Sequence, residues 1–155
     1  MQFNFLAEGV EDWIVHLAQD FVWWYEDTYL KNSEAIVFVK METIDKEADF
    51  SYAAEVSYDP DMENYDLTIR IDETMTPADL IKSLAHEMTH VKQMEDGDLS
   101  KTEYKYKGTY YSFDKETQYF ETPWEIEANG MERACLWRFA NDREAKEVLI
   151  KSRYY

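Results

Sequence analysis

His86-Glu87-Met88-Thr89-His90 has the residue types and spacing of a metal site. Residues four apart on an α-helix project from one face, one turn apart. Two imidazoles so placed can bind one zinc ion, each ring nitrogen at about 2.0–2.1 Å. Glu87 lies about 100° around such a helix from His86, near the ion but poorly placed to ligate with the histidines. A carboxylate there can take a proton from a water that zinc has acidified. These residues make the chain a candidate zinc-dependent hydrolase. The plainer alternative is two surface histidines on an amphipathic helix. Against it, the chain has three histidines, and two of them fall in this pattern.

A catalytic zinc site uses three protein ligands and an open position. No histidine follows His90, so the metzincin-type extension with its third histidine is absent. A carboxylate from a second helix is the expected source. Thr122-Pro123-Trp124-Glu125-Ile126-Glu127-Ala128-Asn129 offers two. Glu125 and Glu127 are about 200° apart on a helix, so only one can readily face the ion. Asn129 shares the face of Glu125 and could hydrogen-bond a liganding histidine. Thr122-x-x-Glu125 is also a capping box, which would tie Glu125 to its own helix start. Glu127 lacks that competing duty. We assign Glu125 as the third zinc ligand and keep Glu127 as the alternative.

Several elements must position these groups. Thr76-Pro77-Ala78-Asp79 reads as an N-cap, a proline at the first helical position and an acid at the third. It opens a motif helix over about 77–94, ended by Glu95-Asp96-Gly97-Asp98. Leu80, Leu84, Met88 and Val91 recur at helical spacing beside Ile81 and Ala85, as a core stripe. His86, His90 and Gln93 fall on another side. A first helix is expected over about 7–31, from the spacing of Trp13, Leu17, Phe21 and Trp24. His16 within it reads as structural rather than as a ligand.

Strands are expected over 35–41, 50–58 and 65–72. The turn chemistry of Asp59-Pro60-Asp61-Met62-Glu63-Asn64 joins the last two as a hairpin. An edge strand near the metal could hold an extended substrate, though the sequence does not say which one. The segment Lys101–Thr122 carries Tyr104, Tyr106, Tyr110, Tyr111 and Tyr119 among lysines, with a hairpin at Lys107-Gly108. It reads either as a cover for the core or as a flap whose tyrosine polarises a substrate carbonyl. Met131, Ala134, Cys135 and Phe139 extend an apolar stripe along the glutamate helix. The charged tail over 142–155 is expected to be helical until near its end. The expected fold is α+β, in one domain over residues 1–155. It has an N-terminal helix, a small, mostly antiparallel sheet, the motif helix and a C-terminal glutamate helix.

H-E-x-x-H followed by E-x-x-x-[DN] on a later helix resembles the gluzincin clan of zinc peptidases. Glu125-x-Glu127-Ala128-Asn129 resembles the E-x-E-A-N stretch of ImmA/IrrE-type peptidases. The wider strings, His86 to Gln93 and Pro123 to Ala128, are similar to small phage-encoded, SprT-like predicted metallopeptidases. Lys105-Tyr106-Lys107-Gly108 resembles their aromatic-Lys-Gly turn. The resemblance spans about half the chain. It implies a zincin-like minimal metallopeptidase fold and a peptide or protein substrate. It also implies His86, His90 and a glutamate as zinc ligands, with Glu87 as general base.

Bulk composition narrows the alternatives. At 155 residues and 45% hydrophobic, the chain can bury a core as one domain. A net charge of −17 argues against nucleic acid as a partner, since phosphate contacts need clustered Lys and Arg. No apolar run approaches a membrane span. One cysteine, Cys135, cannot form an internal disulfide, which fits a reducing cytoplasm, the host's if the chain is phage-encoded. Two other functions compete with a peptidase. A non-catalytic zinc-binding adaptor or inhibitor would use the acidic surface. An acidic nucleic-acid mimic would bind no zinc.

Overall fold

Alternating apolar residues build a four-stranded sheet that backs the motif helix. The computed structural model describes residues 1–44 and 53–150. In chain order the larger elements are β1 (Gln2–Ala7), α1 (Asp12–Tyr29), β2 (Ile36–Thr43), β3 (Ala54–Asp59), β4 (Asn64–Ile71) and α2 (Pro77–Glu95). A small hairpin, β5 (Lys105–Tyr106) and β6 (Thr109–Tyr110), follows. One-turn α3 (Glu116–Tyr119), long α4 (Pro123–Asp142) and one-turn α5 (Lys146–Leu149) complete the domain. The class is α+β, as expected. Of the strand expected over 50–58, residues 50–52 lie outside the described residues.

The sheet corrects the expectation of mostly antiparallel pairing. Its order is β1-β2-β4-β3. β1 and β2 are parallel, β2 and β4 are parallel, and only β3 runs antiparallel to β4. The cause is β1. Phe3 and Phe5 alternate with Gln2, Asn4 and the exposed Leu6, and this stretch forms a strand ahead of the first helix. The helix therefore starts at Asp12, not near Ala7, after Gly9 turns the chain at φ 73°. A strand, a crossover helix and a second strand then pair in parallel. The β3–β4 hairpin forms where the turn residues predict it. Asp59 Oδ1 accepts from the amides of Asp61 and Met62 at 2.9 and 3.1 Å.

The buried face of the sheet, Val37, Val39 and Met41 with Leu67, Ile69 and Ile71, joins one core with α1, α2 and α4. The α2 stripe of Leu80, Ile81, Leu84, Ala85, Met88 and Val91 is wholly inside it. The α2 start is a true capping box: Thr76 Oγ1 accepts from the Asp79 amide, and Asp79 Oδ2 accepts from the Thr76 amide, both at 3.1 Å. Gly97, at φ 78°, follows its last turn. Thr89 inside the motif donates to the Ala85 carbonyl at 2.7 Å. Its oxygen is then the acceptor for Tyr25 of α1, at 3.1 Å. The motif helix is thus pinned to α1 through Thr89, on a face adjoining that of the histidines.

Three local readings need correction. Trp13 opens the α1 stripe but is 47% exposed, while Phe21 and Trp24 are buried against Phe139. Ala134 is exposed, and the buried stripe of α4 runs through Ala128, Cys135, Leu136, Phe139 and Ala140. The tail is not one continuous helix. α4 stops at Asp142, where the amides of Glu144 and Ala145 return to Asn141 and Ala140. That is a Schellman closure, with Glu144 rather than glycine at φ 53°. Only Lys146–Leu149 resumes as a turn of helix, and residues 151–155 lie outside the described residues.

Among the described residues no helix is long and apolar enough to cross a membrane. Leu84 is fully buried at the centre of α2. Leu84→Ala is expected to lower unfolding stability by about 2–5 kcal/mol, read from the urea midpoint, while leaving His86 and His90 in place.

Candidate metal centre

The side of α2 left out of the core faces α4, and three donors meet there. His86 Nε2 and His90 Nε2 are 3.2 Å apart. Glu125 of α4 sets one carboxylate oxygen 3.2 Å from His86 Nε2 and the other 3.0 Å from His90 Nε2. A tetrahedral zinc with ligand bonds near 2.05 Å separates neighbouring ligands by about 3.3 Å. The triangle of His86, His90 and Glu125 has that size. Among the described residues it is the group of His, Cys, Asp and Glu side chains with metal-holding geometry.

The surroundings fix which nitrogen of each ring is bare. Gln93 Nε2 donates both hydrogens, to the Trp124 carbonyl and to Glu127 Oε2, each at 3.0 Å. Its oxygen lies 2.9 Å from His90 Nδ1 and can only accept, so Nδ1 carries the hydrogen. Reversing the amide would set its oxygen against two acceptors. His86 Nδ1 lies 2.8 Å from Glu132 Oε1 and donates to that carboxylate. Both Nε2 lone pairs therefore point into the triangle, toward two carboxylate oxygens. With both rings neutral, four electron-rich atoms meet there, and the space between them suits a metal ion or, in its place, a proton.

The acid–base behaviour points the same way. Burial opposes a charge on His86, but hydrogen bonds to Glu125 and Glu132 outweigh it and push its pKa up to about 10. Burial would raise the Glu125 pKa, yet hydrogen bonds from both histidines, with a further one from Tyr119, bring it down to about 2. Without a metal, a proton on His86 supplies the positive charge this pocket attracts.

No family model, no curated protein and no solved structure matches the chain. The site is therefore read from its own residues.

Glu87 is buried on the wall of a cleft of about 640 Å³ that opens beside the triangle. Burial raises its pKa, and the nearby histidines only partly offset this. Glu127, the alternative ligand, is not in the triangle. Its carboxylate accepts from Gln93 and, at 3.0 Å, from the Tyr106 hydroxyl. The capping duty predicted for Glu125 does not arise. Thr122 makes no side-chain cap, and its hydroxyl donates to the Tyr119 carbonyl at 2.7 Å. Asn129 lines the cleft but holds no histidine; Glu132, one turn further along α4, has that role. Its signal was visible, since 125, 129 and 132 share one helical face. Gln93 was also legible, three residues after His90. His16 is exposed on α1, away from the cluster.

The Lys101–Thr122 segment forms the cover expected of it, and one of its tyrosines reaches the cleft. Its hairpin turns at Lys107-Gly108, with φ 47° and 83°. Tyr104, Tyr111, Phe113 and Tyr119 pack around buried Trp124 as a cover. Tyr119 also lines the cleft and hydrogen-bonds Glu125.

Two measurements check this centre. In competition with a chromogenic chelator, Glu125→Ala should lose most zinc affinity and Gln93→Ala about 10–100-fold, with Glu127→Ala the mildest. A larger loss at Glu127 than at Glu125 would reverse the assignment. In metal-free protein, ring-proton NMR should show His86 titrating near pH 10, and added zinc should abolish the titration. Because that pKa is raised on folding, its stabilising contribution is complete below about pH 6.5 and disappears as pH climbs through 10.

Proposed function

We propose that this chain is a zinc-dependent metallopeptidase of the gluzincin type, similar to the SprT-like and ImmA/IrrE-type peptidases its motifs resemble. The observation that carries the reading is Glu125 completing a triangle with His86 and His90 while Glu87 lines the adjoining cleft. Two imidazoles and a carboxylate suit zinc, and three protein donors leave a position for solvent. A zinc ion held there would acidify a water and polarise a substrate carbonyl.

The residues of the chain supply the rest. Glu87 has a carboxylate whose pKa is raised by burial, which makes it a stronger base than an exposed glutamate. It takes the proton of the attacking water and passes it to the departing amine. Tyr119, already a donor to Glu125, is the tyrosine available to the substrate carbonyl oxygen. Glu132 and Gln93 keep both rings in the tautomer that leaves Nε2 bare. β3 is an edge strand, and Ala54, Glu55 and Val56 line the cleft. An extended polypeptide can pair with its backbone there.

The competing adaptor reading keeps the metal but has no use for a buried base beside an open cleft. The nucleic-acid mimic has no use for the triangle at all. A cytoplasmic setting, the host's for a phage-encoded chain, suits the single buried Cys135.

Glu87→Gln should retain zinc at wild-type stoichiometry and lose at least ~10²-fold in peptide-bond hydrolysis. Full hydrolysis by that variant would refute the proposed base, and a wild-type protein that binds zinc but cleaves nothing would favour the adaptor.

A further inference from the structure

Two hollows meet at the metal triangle, and their chemistry differs. The first, of about 640 Å³, lies along Ala53–Val56. Its walls carry Glu55, Asp72, Asp79 and Glu132 besides the site carboxylates Glu87 and Glu125, against one lysine, Lys82. A bound divalent ion offsets two of these charges and leaves the hollow negative. The second, of about 490 Å³, lies along Val56–Tyr58 and is walled by Met94, Leu99, Tyr104 and Trp124, with one lysine, Lys101, and one acid, Glu103, so that it carries no net charge of its own. Val56, His90 and Tyr119 belong to both. The hollows are thus successive stretches of one groove beside β3. Among the described residues, β3 pairs with β4 alone and its other edge is unused.

We propose that this groove selects an extended polypeptide with a basic side chain at one end and an aromatic or large aliphatic one at the other. The inference rests on the metallopeptidase reading for the substrate being a polypeptide. The acidic end follows from charge, since Lys or Arg is drawn to Asp72, Asp79 and Glu132 and an acidic side chain is repelled. Each of these acids already has a partner, Arg70 for Glu55, Lys82 for Asp79, His86 for Glu132 and Thr74 for Asp72, so the attraction is that of the net negative field of the hollow. The apolar end follows from desolvation, since exposed Tyr104 and half-buried Tyr58 and Leu99 gain by being covered, over a floor of buried Met94 and Trp124. The spacing follows from the strand. Ala54 to Tyr58 is four residue steps of β3, about 13 Å at strand rise. A substrate running beside it would place its two selected side chains about four positions apart, on one face.

The test measures binding, so that it does not depend on turnover. The full-length Glu87→Gln protein, with zinc added, is titrated with fluorescein-labelled peptides of Ala and Ser carrying one Phe and one Lys. Two peptides hold these four positions apart, one in each order. A third has them adjacent, and a fourth carries Glu for Lys at the better spacing. One of the first two should bind about tenfold tighter than the adjacent-pair peptide, and the Glu peptide should bind weakest. Asp72→Asn should shrink the spacing advantage by about threefold or more while keeping the acceptor that Thr74 uses. Equal binding of spaced and adjacent peptides overturns the proposal, because the general attraction of a −17 chain acts on both alike. Absence of binding to any of them overturns it too. Tight, spacing-dependent binding of a peptide that wild-type protein never cuts would leave this selectivity standing and sink the peptidase reading instead.

Discussion

Electron-rich atoms held 3.0–3.2 Å apart repel one another unless positive charge lies between them. That constraint governs this protein. The α2–α4 contact brings two imidazole lone pairs against a carboxylate, an arrangement that favours a cation and resists its absence. Core packing supplies the force that holds it. The apolar stripes of α2 and α4 are buried in one core, and this burial can offset the electrostatic cost of the opposite face.

A second layer of hydrogen bonds turns proximity into a defined site. Glu132 and Gln93 each take the hydrogen of one Nδ1, so both rings present the same bare nitrogen. Gln93 extends this outward through Glu127 to Tyr106 of the small hairpin. Aromatic packing on Trp124 seats the same segment, which delivers Tyr119 to the cleft. The Lys101–Thr122 stretch is therefore at once a lid on the core, a brace for His90 and a wall of the groove. Its many tyrosines make sense as a packed aromatic cluster with two hydroxyls, those of Tyr106 and Tyr119, directed at site carboxylates.

The misread elements share a physical cause. β1 is a short strand whose alternation, Phe3 and Phe5 against Gln2 and Asn4 and then broken by Leu6, is too brief to stand out before a strongly periodic helix. Its parallel partnership with β2 depends on a crossover, and parallel pairing leaves no local turn signal. The stop after α4 is equally silent, since Glu144 adopts a left-handed conformation that usually announces itself as glycine. By contrast, the Thr76 cap, the β3–β4 turn and the Lys107-Gly108 hairpin are local chemistry and form where their residues predict.

The amino-acid order alone determined the histidine pair on one helical face, the glutamate beside it and the two acids offered by a later helix. Helical period is a local property, so those relations survive without any knowledge of the fold. Choosing Glu125 over Glu127 was a different matter. It required the rotation and height of α4 against α2, which is set by the packing of Cys135, Leu136, Phe139 and Ala140 into the shared core and of Trp124 into the aromatic cluster. The same docking gave Glu132 to His86 and left Asn129 on the cleft wall. It also laid an acidic hollow and an aromatic one end to end along β3. Contacts between residues thirty or more positions apart are decided by how helices seat on one another, and no spacing along a single segment encodes them.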